Sequence, residues 1–492
     1  MTVQENAKKG ADKRGYVIIG LLSLVYFIYM LVFCDLRSLW MDDLAQIQIA
    51  VQSTIPDMIR ETISLDNNPP LFHLLSFFWI RIVPYGTGWL KLINIIFVSI
   101  GLYLCGLISF EIRGRSAGII CVLLGLLHRG VVSLAAYTFR PYGLYFCISA
   151  LMLFLYIRSR NQLTKQNNLL FMVSMILAVY THYFAVLLCI CFFMIDIFLI
   201  LNKRLKLIDL FPYPAAALSL IPWLAIIVQG SLNRLKNFWP QKPDIKALAN
   251  MLYELLGYDK VLVLLVIAAG LLVFFYLIEA IIKKKQTVSL LFDLCLLCIP
   301  VCMILSVYFV SKYAGGFTSL FVTRYFVSVI PFIMVLCGVG FSMVYDTFIN
   351  KIKGRGVRFL STLLLLAVCA VFFYRSLNKT VVFETMFNEP FKEVSAYLMS
   401  QEDINKRNVL VYNTCNELQE GWNYYLSKGG TRDSLPVVWG ELTGNHLEGI
   451  DKVYVAVLHL PFTEEAKAVL KDNGYQLTET MESIPVQIYE KK

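Results

Sequence analysis

Charge is scarce in this 492-residue chain: Asp, Glu, Lys and Arg together make up 16%, against 58% hydrophobic residues. That balance excludes a soluble globule, which could not bury so much apolar side chain, and defines a polytopic membrane protein. Also missing is a glycine loop that cradles phosphate after a strand, because Lys428-Gly429-Gly430 precedes a polar turn. There is no paired CxxC metal or redox pattern. Most of the 12 cysteines, Cys105, Cys121, Cys189 and Cys337 among them, lie in apolar runs as small hydrophobes, and Cys295-Leu-Leu-Cys298 lies in a span. No small-residue cleavage site follows the first apolar run, so that run is expected to stay as a helix. The net charge of +10 does not mark a nucleic-acid partner, since the basic residues cluster between hydrophobic spans, where they set orientation.

What is present begins with a basic tail, residues 1–15, containing Lys8, Lys9, Lys13 and Arg14. An apolar run from about 16 to 34 follows. Residues 35–88 form a first outer loop whose amphipathic pieces, 43–51 and 70–83, suit helices lying along a membrane surface. Further spans are expected near 89–110, 116–137, 139–157, 168–181, 183–201, 207–228, 259–282, 288–310, 323–345 and 357–375. With the first, these make about eleven transmembrane helices, several shorter than the ~20 residues of a perpendicular span. Every second connection is basic: Arg113 and Arg115, then Arg158, Arg160 and Lys165, then Lys203, Arg204 and Lys206, then Lys283 to Lys285, then Lys351 to Arg358. This places the N-terminal tail in the cytoplasm and the alternate connections outside. Residues 376–492 are richer in charge. Strand-like Val409–Tyr412, Val437–Trp439 and Val453–Val457 alternate there with helical stretches near 390–401 and 463–473, which predicts a small extracytoplasmic α/β domain after a transmembrane domain of 16–375.

The chemistry gathers on the outer connections. Ser38-Leu39-Trp40-Met41-Asp42-Asp43 sets two adjacent carboxylates just outside the first helix, where like charges and a low-dielectric rim make them costly to hold. Asp66 and Asn68 stand in Asp66-Asn67-Asn68-Pro69-Pro70. Arg140 and Tyr142 open one span, Thr181-His182-Tyr183 marks an outer turn, and Arg324 with Tyr325 heads another span. Each has an ordinary reading too: a snorkelling Arg140, a packing His182, an anchoring Arg324, a simple turn at Asp66. Arg129, beside His128, marks a break in its helix. Outward carboxylates and guanidinium groups framing one cavity suit transfer from a phosphate-linked donor.

In order and spacing, Trp40-Met41-Asp42-Asp43, Asp66-Asn67-Asn68-Pro69-Pro70-Leu71, Arg140-Pro141-Tyr142, Thr181-His182-Tyr183 and Arg324-Tyr325 with Pro331 resemble the bacterial branch of the dolichyl-phosphate-mannose protein mannosyltransferase-like family, over roughly residues 16–345. That family has the GT-C fold and includes the lipid A aminoarabinose transferases. The resemblance implies an all-α polytopic membrane glycosyltransferase in a bacterial plasma membrane. Its donor is a polyprenyl-phosphate-linked sugar from the bilayer, and its acceptor an extracytoplasmic hydroxyl. By position, Asp42 is the implied base, and Asp43, which stands where the family has Glu, is the second implied catalytic acid. Asp66 matches an acid ahead of His-Pro-Pro, whose His is Asn68 here, and Thr138 replaces a common Glu. Arg140, Tyr142, His182, Tyr183, Arg324 and Tyr325 are the implied substrate-binding residues, with Arg324 as phosphate clamp. No metal ligand is assigned, and a divalent metal as cofactor is left open.

The expected reaction is a single displacement with inversion, Asp42 taking the acceptor proton and Arg140 or Arg324 stabilising the leaving phosphate. A transporter or flippase of a lipid-linked sugar is the alternative. Against it, the charges gather at one face instead of mid-bilayer, and no paired broken helices occupy matching halves. A non-catalytic scaffold leaves the Asp pair without a purpose.

Overall fold

The computed structural model describes residues 13–66, 68–84, 86–236, 240–283, 288–314, 319–351, 354, 371, 374–379, 389–414, 422–423 and 437–492. A first helix, α1 (Lys13–Phe33), leads into a loop and three short helices, α2 (Met41–Ala50), α3 (Ile55–Leu65) and α4 (Leu71–Ile82). Helices do form at both expected amphipathic pieces, as α2 and α4. The sequence reading did not anticipate α3, although Thr54 caps it by accepting from the Asp57 amide at 3.2 Å and Pro56 stands in its first turn, both start signals.

The bundle continues with α5 (Thr87–Arg113), α6 (Arg115–Leu126), α7 (Arg129–Ala136) and α8 (Tyr142–Asn161). Then come α9 (Lys165–Thr181), α10 (Ala185–Leu201), α11 (Pro212–Lys236), α12 (Ile245–Leu255), α13 (Lys260–Ile282) and α14 (Val288–Tyr313). A 3₁₀ segment at Thr323–Val329 runs into α15 (Ile330–Lys351). Among the described residues seven helices are long and apolar enough to cross a bilayer, or eight if the bent pair α6–α7 is one span. The expected count of about eleven also drew on α9 and α10, of 17 residues each, and on 357–375, which lies almost wholly outside the described residues.

The span expected at 116–137 bends by 66° between α6 and α7. The break falls at His128, whose Nδ1 accepts from the Val131 amide at 3.3 Å, while Arg129 donates to the Tyr258 carbonyl. Arg129 thus ties the break to the connection between α12 and α13. Beside α9, α10 and α11 runs an apolar groove of about 780 Å³, lined by residues such as Val179, Ile190, Phe193 and Leu220.

At the end of α8 opposite Tyr142, Arg160 and Asp196 of α10 form a fully buried ion pair. Tyr156 and Tyr213 donate to the same carboxylate at 2.9 and 2.6 Å, and Arg160 also reaches the Asn168 side-chain oxygen at 2.9 Å. Each Asp196 oxygen thus accepts from one tyrosine and from Arg160, the kind of added hydrogen bonding under which a buried pair is tolerated.

Beyond the bundle, α16 (Phe391–Ser400) precedes β1 (Val409–Asn413), β2 (Val437–Trp439), β3 (Lys452–Ala456), α17 (Glu464–Asp472), β4 (Tyr475–Thr480) and β5 (Val486–Lys491). The strands form one sheet in the order β2-β1-β3-β5-β4, with β1 parallel to β2 and β3 and the other pairings antiparallel. Alternate residues divide between two faces: Leu410, Tyr412, Val453 and Val455 pack with Ala466 and Leu470 of α17. Val409, Val411, Tyr454 and Ala456 belong instead to the core that includes Phe391 and Leu398 of α16 and extends into the bundle. Covering both faces explains why β1 and β3 read as unbroken apolar runs.

Removing one half of the Arg160–Asp196 pair leaves a buried charge. Asp196→Ala is expected to cost on the order of 3–5 kcal/mol and to lower the thermal midpoint in detergent, with most of the loss recovered when Arg160→Met is added.

Candidate functional site

The loop between α1 and α2 is held from below by Lys91 of α5. Its side chain is fully buried, and its ammonium donates to the Cys34 carbonyl at 2.8 Å and to the Arg37 carbonyl. This fixes the start of α2. Asp43, at its third position, is buried, with one oxygen accepting from the Trp40 amide at 2.9 Å and the other from the Phe139 amide at 2.7 Å. Burial pushes the Asp43 carboxyl pKa up, and these amides with Arg37 pull against it. Asp42, the neighbouring acid, points outward. Its side chain is 23% exposed and lies 2.8 Å from Arg324 Nη2.

Arg140 sits in the turn between α7 and α8. Asn94 of α5 shapes that turn by donating to the Thr138 and Arg140 carbonyls at 2.6 and 2.7 Å. Close packing of Asn94 requires Gly143, where a Cβ would come within 2.6 Å of the Asn94 side chain. Behind Arg140 stands Asp66, its Oδ2 at 2.7 Å from Arg140 Nη2. Asn68 donates to the other Asp66 oxygen from its side chain at 2.9 Å and from its amide at 3.2 Å. Burial opposes the Asp66 charge, yet Arg140 and these bonds hold its carboxyl well below the usual range. Next to it, His73 Nε2 lies 3.6 Å from Asp66 Oδ2, and burial pushes the imidazole pKa down to about 4.

The other wall comes from the 3₁₀ segment and the outer turn after α9. The Arg324 guanidinium lies 6.0 Å from the Tyr142 ring centre. His182 is buried behind it, stacked on Tyr145 at 4.9 Å and packed 5.2 Å from Tyr325, with Nδ1 accepting from the Phe184 amide at 3.2 Å. Burial pushes its pKa down to about 3, so it is neutral. Tyr183 accepts at its hydroxyl from Trp223 Nε1 at 2.8 Å.

These groups enclose a cavity of about 260 Å³. Asp42, Asp43, Arg140, Tyr142 and Arg324 line it, and Arg37, Trp40, Thr138, Glu254 and Tyr258 complete its wall. Of the residues singled out in the sequence, Asp66 and Asn68 stand one layer back and hold Arg140, His182 and Tyr325 pack behind the Tyr142 and Arg324 wall, and Tyr183 turns to Trp223 of α11. Sequence reading missed Arg37, His73, Lys91, Glu254 and Tyr258. A buried Lys in an apolar helix was a legible signal for Lys91; the others needed the fold. Burial also raises the Glu254 carboxyl pKa. Among the described residues no three His, Cys, Asp or Glu side chains gather as metal ligands. Chemically the cavity offers two partly exposed carboxylates, Asp42 and Glu254, with the guanidinium groups of Arg324 and Arg140, a place for an anion beside a proton acceptor.

Asp66→Asn strands the buried Arg140 charge and is expected to cost on the order of 3–5 kcal/mol. The pH dependence follows from sign. Asp66 titrates lower in the fold than in the unfolded chain, so its stabilisation is complete above its unfolded pKa and is lost as pH falls through the folded one. His73 is held neutral with its pKa lowered to about 4, so stability falls as pH drops from its ordinary value of 6.5 toward 4. Thermal midpoints measured from pH 7 to 4 should decline, and His73→Phe should flatten the decline.

No protein-family model matches the sequence, and no curated protein does. Solved structures do. The chain is similar to ArnT from Cupriavidus metallidurans in the apo state, at 11% identity over 97% of this chain and 98% of that one, with a TM-score of 0.60. The same protein bound to undecaprenyl phosphate matches at 13% identity over 95% and 97%, with a TM-score of 0.54. The archaeal oligosaccharyltransferase AglB from Archaeoglobus fulgidus, in complex with an inhibitory peptide and a dolichol-phosphate, matches at 12% identity over 91% of this chain and 70% of that one, with a TM-score of 0.50. The chain therefore carries the GT-C fold of polytopic membrane glycosyltransferases.

Proposed function

We propose that this protein is an inverting membrane glycosyltransferase. It moves a sugar from a polyprenyl-phosphate-linked donor to a hydroxyl of an acceptor in the cell envelope, on the outer face of a bacterial plasma membrane. The observation that carries this reading is the convergence of the Asp42 carboxylate with Arg324 and Arg140 on one cavity. Undecaprenyl phosphate and dolichol-phosphate occupy the two neighbouring structures, which supports a polyprenyl phosphate as the donor's leaving group. The alternation of basic connections supports a cytoplasmic N-terminus. Residues 1–15 are then the tail, 16–375 the transmembrane domain and 376–492 the outer α/β domain.

In this reading the donor phosphate competes with Asp42 for Arg324. When the guanidinium turns to the phosphate, Asp42 is released beside the acceptor. Asp42 takes the hydroxyl proton, the acceptor oxygen forms its bond to the anomeric carbon, and the carbon–oxygen bond to phosphate breaks. The electron pair leaves on the polyprenyl phosphate, where Arg324 and Arg140 stabilise it with charge-assisted hydrogen bonds. Asp43 holds the loop, Asp66 and Asn68 hold Arg140, and Tyr142 gives the sugar a face to lie against. His182 and Tyr325 support that wall from behind. Glu254 and Tyr258 offer acceptors to sugar hydroxyls across the cavity. Which hexose or pentose fits, and which acceptor, is set by that far wall.

The test is release of polyprenyl phosphate from a panel of labelled polyprenyl-phosphate sugars in membrane vesicles. The parent chain should turn over at least one donor, and Asp42→Asn, which keeps the shape and removes the base, should lose about 10²-fold or more while remaining folded. Equal rates for the two would remove Asp42 as the base. Scrambling of lipid between leaflets without sugar transfer would replace the enzyme reading with a flippase.

A further inference from the structure

The segment before α16 and the start of α16 reach the stretch that leads into Asp42, and the loop after β3 reaches that segment. Glu389 Oε2 accepts from the Met41 amide at 3.1 Å, and Glu389 Oε1 lies 2.7 Å from His459 Nδ1. The Lys392 amide donates to Ser38 Oγ at 3.1 Å, and its ammonium to the Asp35 carbonyl at 3.4 Å. Met41 is the first residue of α2, so its N–H has no acceptor inside the helix. Asp43 takes the Trp40 amide, and Glu389 takes the next one. His459 holds a left-handed backbone, φ 60°, which a non-glycine residue keeps only where its surroundings impose it. The C-terminal unit thus presents a carboxylate, braced by an imidazole, to the residue adjoining Asp42.

We propose that Glu389 is a positioning residue for Asp42, and that His459 holds Glu389 in place. The C-terminal α/β unit is then a working part of the site and not a cover for the outer face. This rests on reading Asp42 as the base, but the physical link does not. Glu389 touches neither the cavity wall nor the reacting groups; it acts through the Met41 amide. An error of about 1 Å in the placement of a base can cost about 10²-fold in rate, so a bond at the adjoining residue is well placed to matter.

The experiment uses the full chain with Glu389→Ala, Glu389→Gln, His459→Ala and the Glu389→Ala/His459→Ala pair. Two readouts are taken: donor turnover, and hydrogen exchange of peptides spanning residues 35–43. Glu389→Ala should lower kcat about 10- to 100-fold with little change in donor KM, and should speed exchange at 35–43. Glu389→Gln should recover most of both, because its amide oxygen still accepts from Met41. His459→Ala should fall between, and the pair should be no worse than Glu389→Ala alone. Unchanged exchange in Glu389→Ala overturns the proposal whatever the turnover. A Glu389→Gln variant as poor as Glu389→Ala also overturns it. If the parent turns over no donor while Glu389→Ala still loosens 35–43, the positional link stands and the glycosyltransferase reading falls.

Discussion

The site depends on one buried carboxylate. Asp43 spends one oxygen on the Trp40 amide and the other on the Phe139 amide, so a single side chain fastens the start of α2 to the turn that carries Arg140. A buried charge without partners would cost several kcal/mol, and two backbone donors are what allow it to stay. Because both of its oxygens are engaged, Asp43 leaves its neighbour to face the cavity. The adjacent acids that look equivalent in the sequence therefore have different surroundings: one is enclosed by backbone amides, the other meets an arginine at the cavity edge.

The distribution of charge across the bundle sharpens that contrast. Near the far end of α8, Arg160 and Asp196 are buried against each other with Tyr156, Tyr213 and Asn168 bonded to them. Arg113 and Asp293 form a second ion pair at 2.7 Å, between α5 and α14. At the opposite end Arg140 is backed by Asp66 but also lines the cavity, and Arg324 is paired to a carboxylate that lines it too. Closed pairs of the first kind are what helix packing needs; half-open ones suit a group that arrives from outside the chain.

Much of the architecture was legible because hydropathy and basic connections carry it, and the outer motifs named Asp42, Arg140, Tyr142 and Arg324 as residues that do meet at one cavity. Short helices blurred the count of spans, since a mostly apolar stretch of 17 residues can read either as a short span or as a buried helix. The break at His128 was visible as a polar pair inside an apolar run, but not its 66° angle or the docking of Arg129 against Tyr258. Glu254 and Tyr258 looked like ordinary loop residues, and Glu389 belongs to a segment far along the chain. Their places depend on how α12 and the C-terminal sheet dock, which no local pattern encodes. His182 was legible as special, but not its seat behind the cavity wall, stacked on Tyr145.

The shortness of α9 and α10 has an effect outside the protein. At 1.5 Å per residue, their 17 residues rise about 25 Å, less than the ~30 Å of a typical hydrocarbon core. If both helices cross, lipid beside this flank would have to thin to match, at a cost of fractions of a kcal/mol for each ångström. The apolar groove opens along the same flank. A local dip there would draw the two headgroup layers together and shorten the climb for any lipid-borne phosphate, on the side where the protein's own surface is already hollow.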